Sequence, residues 1–200
     1  MHAPTLGSNP ADAVTKTRTT LLTADPSLKF RVSELRLKSL FLALVSSGLS
    51  DIESRSISQN AFQFFLAERH RIQLLPGTIN TLSVLSQKYQ LAVLTNGNAD
   101  VRRLGLAHYF QVILSAEMIG TGKPDPKTFH ELLKKSGVKA AETLHIGDHL
   151  EDDIQGAISA GLHAIWLNAD CKEKPSNLHQ ITSINSLDEL PKLLIKLYGS

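Results

Sequence analysis

Gly147-Asp148-His149-Leu150-Glu151-Asp152-Asp153 ends a β-branched, apolar run and opens a helix, placing several carboxylates at one strand tip. Hard oxygen donors grouped in this way suit Mg²⁺, which takes one or two carboxylates and keeps several waters. Gly147 lets the backbone turn sharply, Asp148 leaves the strand tip, and Asp153 returns a helical turn or so later. The same carboxylates could instead simply complement a helix N-terminus. An earlier strand ends in Thr95-Asn96-Gly97, which offers an anion a hydroxyl, backbone N–H groups and the positive end of a helix dipole. Thr, Asn and Gly also favour ordinary capped turns. Between these two stretches lies Lys123, hemmed by Gly122 and Pro124. It is either a compact charge suited to neutralising a phosphoryl group or a solvated surface lysine. His149 is set aside from the chemistry, because magnesium prefers oxygen.

The elements that must position these residues follow from periodicity and punctuation. Residues 12–70 carry helical patterning, with Leu37, Phe41, Leu44 and Val45 as one stripe and Ile57, Ala61, Phe64 and Phe65 as another. Gly48 and the Ser50-Asp51 pair separate the two helices. After Leu75-Pro76-Gly77 the pattern becomes α/β, with strands expected at 91–94, 112–114, 143–146 and 164–167. Helices are expected at 79–88, 99–106, 126–135 and 187–198. Another follows Asp148, with Ile154, Ala157, Ile158 and Gly161 as its inner face. Asp125, Pro126 and Gly137 punctuate the 126–135 helix as N-cap, first residue and C-terminal glycine. In an open parallel sheet ligands bind beyond the carboxyl ends of the strands, so Thr95 and Asp148 could face one crevice. The fold class is a doubly wound parallel α/β sheet. It divides into a helical N-terminal unit (1–74) and an α/β core (75–200).

With 200 residues, 42% of them hydrophobic, the chain can bury one core plus a smaller accessory unit. Its net charge of +2 is spread without a basic block, which argues against nucleic acid or an anionic membrane as partner. The single Cys171 excludes an internal disulfide, the first residues show no leader pattern, and no apolar run could span a bilayer. A cytoplasmic location is the expectation.

Thr95-Asn96-Gly97, Gly122-Lys123-Pro124 and Gly147-Asp148 through Asp153, in this order and separated by βα units, resemble motifs two, three and four of the haloacid-dehalogenase-like (HAD) hydrolase superfamily. The resemblance covers residues 75–170, with Asn168 and the Ala157-x-x-Ala160-Gly161 pattern included. The helical first third resembles the cap of that superfamily. Thr95-Asn-Gly-Asn-Ala-Asp100 is similar to the branch containing flavin-pathway pyrimidine phosphatases. The resemblance implies phosphoryl transfer through an aspartyl phosphate on a small phosphorylated metabolite. It implies that Thr95, Asn96 and Gly97 bind the phosphoryl group and that Lys123 stabilises the transferring charge. Asp148 would coordinate Mg²⁺, and Asp153 would support the metal's water shell.

The resemblance also implies a nucleophile in an Asp-x-Asp-x-Thr stretch on a first strand, and nowhere in this chain are two aspartates separated by one residue. Asp12 is followed by Ala13-Val14-Thr15 and Asp25 by Pro26, so neither fits. The expectation is a Mg²⁺-dependent phosphomonoesterase whose first strand is missing, inactive as it stands, with a break in the sheet between 91–94 and 143–146. Two alternatives stand beside it. One is a non-catalytic anion-binding or regulatory protein; the other is a metal-independent haloacid dehalogenase.

Overall fold

Sequence punctuation sets the helix ends observed in the computed structural model, which describes residues 10–199. Helices α1 (Pro10–Ala24), α2 (Val32–Ser46) and α3 (Asp51–Arg69) come first. Ser50 opens α3 with a reciprocal cap, its hydroxyl accepting from the Glu53 N–H while the Glu53 carboxylate accepts from the Ser50 N–H. Two compact units result. One takes the chain up to Ile72 together with Gly97–Asp100; the other takes Gln73–Asn96 and Val101–Ser200.

In the helical unit, α2 packs against both α1 and α3. The inward face of α3 is Ser54, Ser58 and Phe62; of the expected stripe Ile57, Ala61, Phe64 and Phe65, only Phe65 is half-buried, stacked on Phe62, and Phe64 is 70% exposed. Small residues explain the inversion. Ser39 and Ala43 of α2 are buried, as are Ser54 and Ser58 of α3, and short side chains on both helices let α2 and α3 pack closely there.

The second unit begins with α4 (Thr78–Ser86), entered through Gly77 in the left-handed region at φ 76°. Strands β1 (Ala92–Thr95) and β2 (Val112–Ser115) pair in parallel, Thr95 opposite Ser115. A short α5 (Ala116–Ile119) follows, then α6 (Pro126–Ser136). Asp125 caps α6 by accepting from the Lys127 N–H at 2.9 Å, and Gly137 ends it at φ 69°. Strand β3 (Leu144–Gly147) leads into a widened π-helical turn (Leu150–Gln155), the short α7 (Gly156–Ser159) and β4 (His163–Leu167). Strand β5 (Ser183–Ile184), absent from the sequence reading, pairs with β4, and α8 (Leu190–Tyr198) closes the described chain. Where a helix is expected over 99–106, residues 101–105 form turns, because Gly105 at φ 73° and the Leu106 N–H bond to the Val101 carbonyl close the segment after one turn. Ile158, expected on an inner face, is 44% exposed, since the helix after Asp148 is split between a π turn and a single α turn.

The fold class is the expected α/β arrangement with parallel strands. Among the described residues β1 and β2 form one sheet and β3–β4–β5 another, with no strand pairing β1 to β3. One core nevertheless draws on both sheets, and the other joins β3–β5 to the residue just before β1. Leu94, Leu114, Phe129, Ala157 and Leu162 share one cluster, with Ala164 packed on it. Leu85, Ile165, Ile184, Leu190 and Leu194 share the other, with Leu91, Leu144 and Ile146 packed on it. Among the described residues no helix is long and apolar enough to cross a membrane.

Candidate active site

The carboxyl ends of β1 and β3 are joined through Lys123. The Asn96 side chain, just past β1, clamps the lysine's backbone: its Nδ2 donates to the Lys123 carbonyl and its Oδ1 accepts from the Lys123 N–H, both at 2.8 Å. The same Nδ2 reaches the Asp152 carboxylate at 3.3 Å. Asn96 therefore acts through its side chain as a brace, a use that a reading of hydroxyl and amide types alone would not find. Thr95 ends β1 half-buried beside it, and Gly97 packs with the helical unit.

The Lys123 ammonium donates to Asp153 Oδ1, and both side chains are nearly buried. Asp153 Oδ1 also takes His145 Nε2 at 2.9 Å, while its Oδ2 accepts the His149 N–H at 3.0 Å. Burial pushes the Asp153 carboxyl up, but the His145 hydrogen bond, the Lys123 charge and hydrogen bond and the His149 amide together hold it well below the usual carboxylate range. A carboxylate so held is ionised and accepts only, which means that Nε2 of His145 carries the proton.

Local structure fixes this arrangement. Gly147 is required because any Cβ there would run into the Asp153 carboxyl group. Gly156 is required because a Cβ would come within 2.9 Å of the Phe129 ring and 3.0 Å of Pro124 Cα, so the helix after Asp148 lies directly on the segment carrying Lys123. The π turn has a backbone bond from the Ile154 N–H to the His149 carbonyl, five residues back. Such widened turns recur at functional sites. Its N-cap is His149, whose Nδ1 accepts the Asp152 N–H at 3.1 Å. Asp148 stands exposed at the strand tip, its carbonyl held by the buried Trp166 indole N–H at 3.0 Å. Asn168 closes the loop after β4, its amide bonding both to the N–H and to the carbonyl of Lys172 at 2.9 Å.

Thr95, Asn96, Lys123, Asp148 and Asp153 thus lie at the strand ends of one unit, as the sequence order of the motifs suggests. Both oxygens of Asp153 serve Lys123, His145 and the His149 amide, while Asp148 faces solvent. Among the described residues no group of three or more His, Cys, Asp or Glu side chains is assembled to hold a metal ion. Asp148 is the carboxylate at this strand tip left facing solvent, a hard oxygen donor of the kind Mg²⁺ takes with retained waters. His145 was missed by the sequence reading; its alternation with Ile146 along β3, which turns it to the opposite sheet face, was the available signal.

Residues 15–161 match the family described as haloacid dehalogenase-like hydrolase. The chain belongs to this family. Among its relatives is the 5-amino-6-(5-phospho-D-ribitylamino)uracil phosphatase YigB of Escherichia coli (strain K12), 32% identical over 84% of this chain and 71% of that protein. Another is the pyrimidine 5'-nucleotidase YjjG of the same organism, 34% identical over 61% of this chain. The chain spans just 57% of YjjG. Of solved structures in the haloacid dehalogenase-like family, the 2-haloacid dehalogenase from Pseudomonas syringae pv. Tomato DC3000 superposes with a TM-score of 0.92 at 43% identity, covering 98% of this chain and 85% of that one.

Proposed function

We propose that this chain carries the phosphoryl-binding and charge-stabilising half of a phosphomonoester hydrolase acting on a small phosphorylated metabolite. The observation that carries the reading is Lys123, braced by Asn96 behind β1 and ion-paired to Asp153 behind β3. It brings three sequence-distant motifs to one end of the unit. Thr95 and the backbone N–H groups that follow it are suited to phosphoryl oxygens, and Lys123 to the charge that moves onto the attacking and leaving oxygens. The nucleophilic carboxylate belongs on a strand seated between β1 and β3, where the sheet is open. Mg²⁺ would neutralise phosphoryl charge, with Asp148 as its ligand from this chain; Asp153 acts through Lys123. The relatives YigB and YjjG support a nucleotide-like or pyrimidine-bearing phosphate ester as substrate, and residues 1–74 read as the cap that would select it.

The reading is tested by assaying phosphomonoesters with residues 1–200 alone and with an Asp-x-Asp-x-Thr strand added ahead of them. The chain alone should match buffer, and the extended chain should turn over with Mg²⁺. Robust Mg²⁺-dependent turnover by residues 1–200 alone would overturn the assignment of the nucleophile. A metal-independent haloacid dehalogenase is the second reading, favoured by the likeness to the Pseudomonas syringae enzyme.

A further inference from the structure

His145 has no place in the chemistry described so far, yet it lies within the buried centre of the site. Its side chain is 11% exposed, as is that of Lys123. It stands edge-on to the fully buried Phe129 ring, with centroids 5.3 Å apart. Its Nε2–H donates to the same Asp153 oxygen that takes the Lys123 ammonium.

A lysine on a four-carbon stem has many rotamers, and a single carboxylate that can itself rotate does little to choose among them. Here the carboxylate cannot rotate freely. The His149 N–H fixes Oδ2 from one side and His145 fixes Oδ1 from another, while Phe129 and the strand backbone hold the imidazole. We propose that His145 is a positioning residue, clamping the Asp153 carboxylate so that the Lys123 ammonium is held at one point behind the Asn96 brace. The proposal rests on the reading of Lys123 as the cation that meets the phosphoryl group. It assigns no proton transfer to His145.

Amine acylation of the folded chain, read lysine by lysine by mass spectrometry, tests this without turnover. In the parent chain Lys123 should react slowly beside the exposed lysines. In His145→Leu it should react roughly tenfold faster, the factor carried by one lost hydrogen bond to a charged group, with the other lysines unchanged. His145→Gln, whose amide nitrogen falls about where Nε2 does, should restore the slow rate; a merely structural histidine gives no such rescue. Unchanged Lys123 reactivity in His145→Leu overturns the proposal. If all lysines accelerate together, packing has been lost and His145→Asn decides, its shorter amide falling short of Asp153. Acceleration confined to Lys123 there supports the proposal, and its absence overturns it. Inorganic phosphate separates the two readings. Slower acylation of Lys123 with phosphate supports the phosphoryl site. A freed Lys123 in His145→Leu without any phosphate effect keeps the positioning role and removes the phosphoryl reading.

Discussion

The Lys123 ammonium is hydrogen-bonded to the carboxylate of Asp153, which lies 30 residues further along the chain. The pair is nearly dry, so breaking it from one side leaves a buried charge without its partner, a loss of about 3–5 kcal/mol. Lys123→Ala should therefore lower stability as well as any activity. A urea midpoint equal to that of the parent would show the pair to be dispensable for folding.

The pH dependence of this contribution has a definite sign. The Asp153 carboxyl is held below its ordinary value, so between its folded and unfolded pKa values the unfolded chain binds more protons and stability rises with pH. The contribution is fully present above about pH 5, where an unperturbed aspartate is ionised, and is lost only in strong acid. Asp153→Asn should consequently cost most near neutrality, with the gap to the parent closing below about pH 4. A gap that is constant from pH 7 to pH 3, followed by denaturant unfolding, would contradict this.

Gly147→Ala places a methyl group against the Asp153 carboxyl group. Either Asp153 leaves Lys123 and His145, or the strand tip shifts. We expect a loss of about 1–3 kcal/mol, the usual cost of forcing atoms into a filled site. Unchanged thermal stability would mean that the strand tip gives way freely.

In the helical unit, the Ser54 hydroxyl is buried with no hydrogen-bond partner. Ser54→Ala keeps the close approach of α3 to α2 and removes an unsatisfied group, so it should stabilise by about 1 kcal/mol. Calorimetry showing a lower melting temperature would indicate that the hydroxyl is satisfied in solution.

Much of this architecture was legible from punctuation. Ser50 and Glu53, Asp125 and Pro126, and Gly137 mark helix ends because capping chemistry is local. Apolar runs and the order of the three motifs placed Thr95 and Asp148 at the carboxyl ends of parallel strands, with Lys123 in a loop between them. What local patterns could not show are relations set by packing. Nothing in a helical period says that Ser54 and Ser58 face inward while Phe64 faces out, because that choice depends on how near α2 comes. Nor does the pairing of Asp152 and Asp153 in sequence say which carboxylate will meet the lysine. The π turn decides it, directing Asp153 to Lys123 and leaving Asp152 against Asn96. His145 was hidden for the same reason: as one residue of a strand it looks like core, and its partner is reached only through that turn.

In a protein with an Asp-x-Asp-x-Thr strand added ahead of residue 1, the side chains should separate by role. Lys123→Ala should lose about 10²–10³ in turnover, the usual effect of removing one electrostatic contact with the transition state. Thr95→Ala removes a neutral hydrogen bond and should cost about 0.5–1.5 kcal/mol. His149 caps the π turn, so His149→Ala should lower stability by about 0.5–2 kcal/mol and leave turnover close to the parent. Crippled turnover in His149→Ala with near-parent turnover in Lys123→Ala would refute these roles.

The most direct measurement compares two products from that strand-extended protein: inorganic phosphate from a pyrimidine-bearing phosphomonoester and halide from a 2-haloacid, each with and without Mg²⁺. The predicted result is phosphate release that depends on Mg²⁺ and is abolished by Asp148→Asn, with no halide above background. Halide release without metal, and no phosphate, would contradict the account and assign Lys123 and its braced carboxylate to dehalogenation.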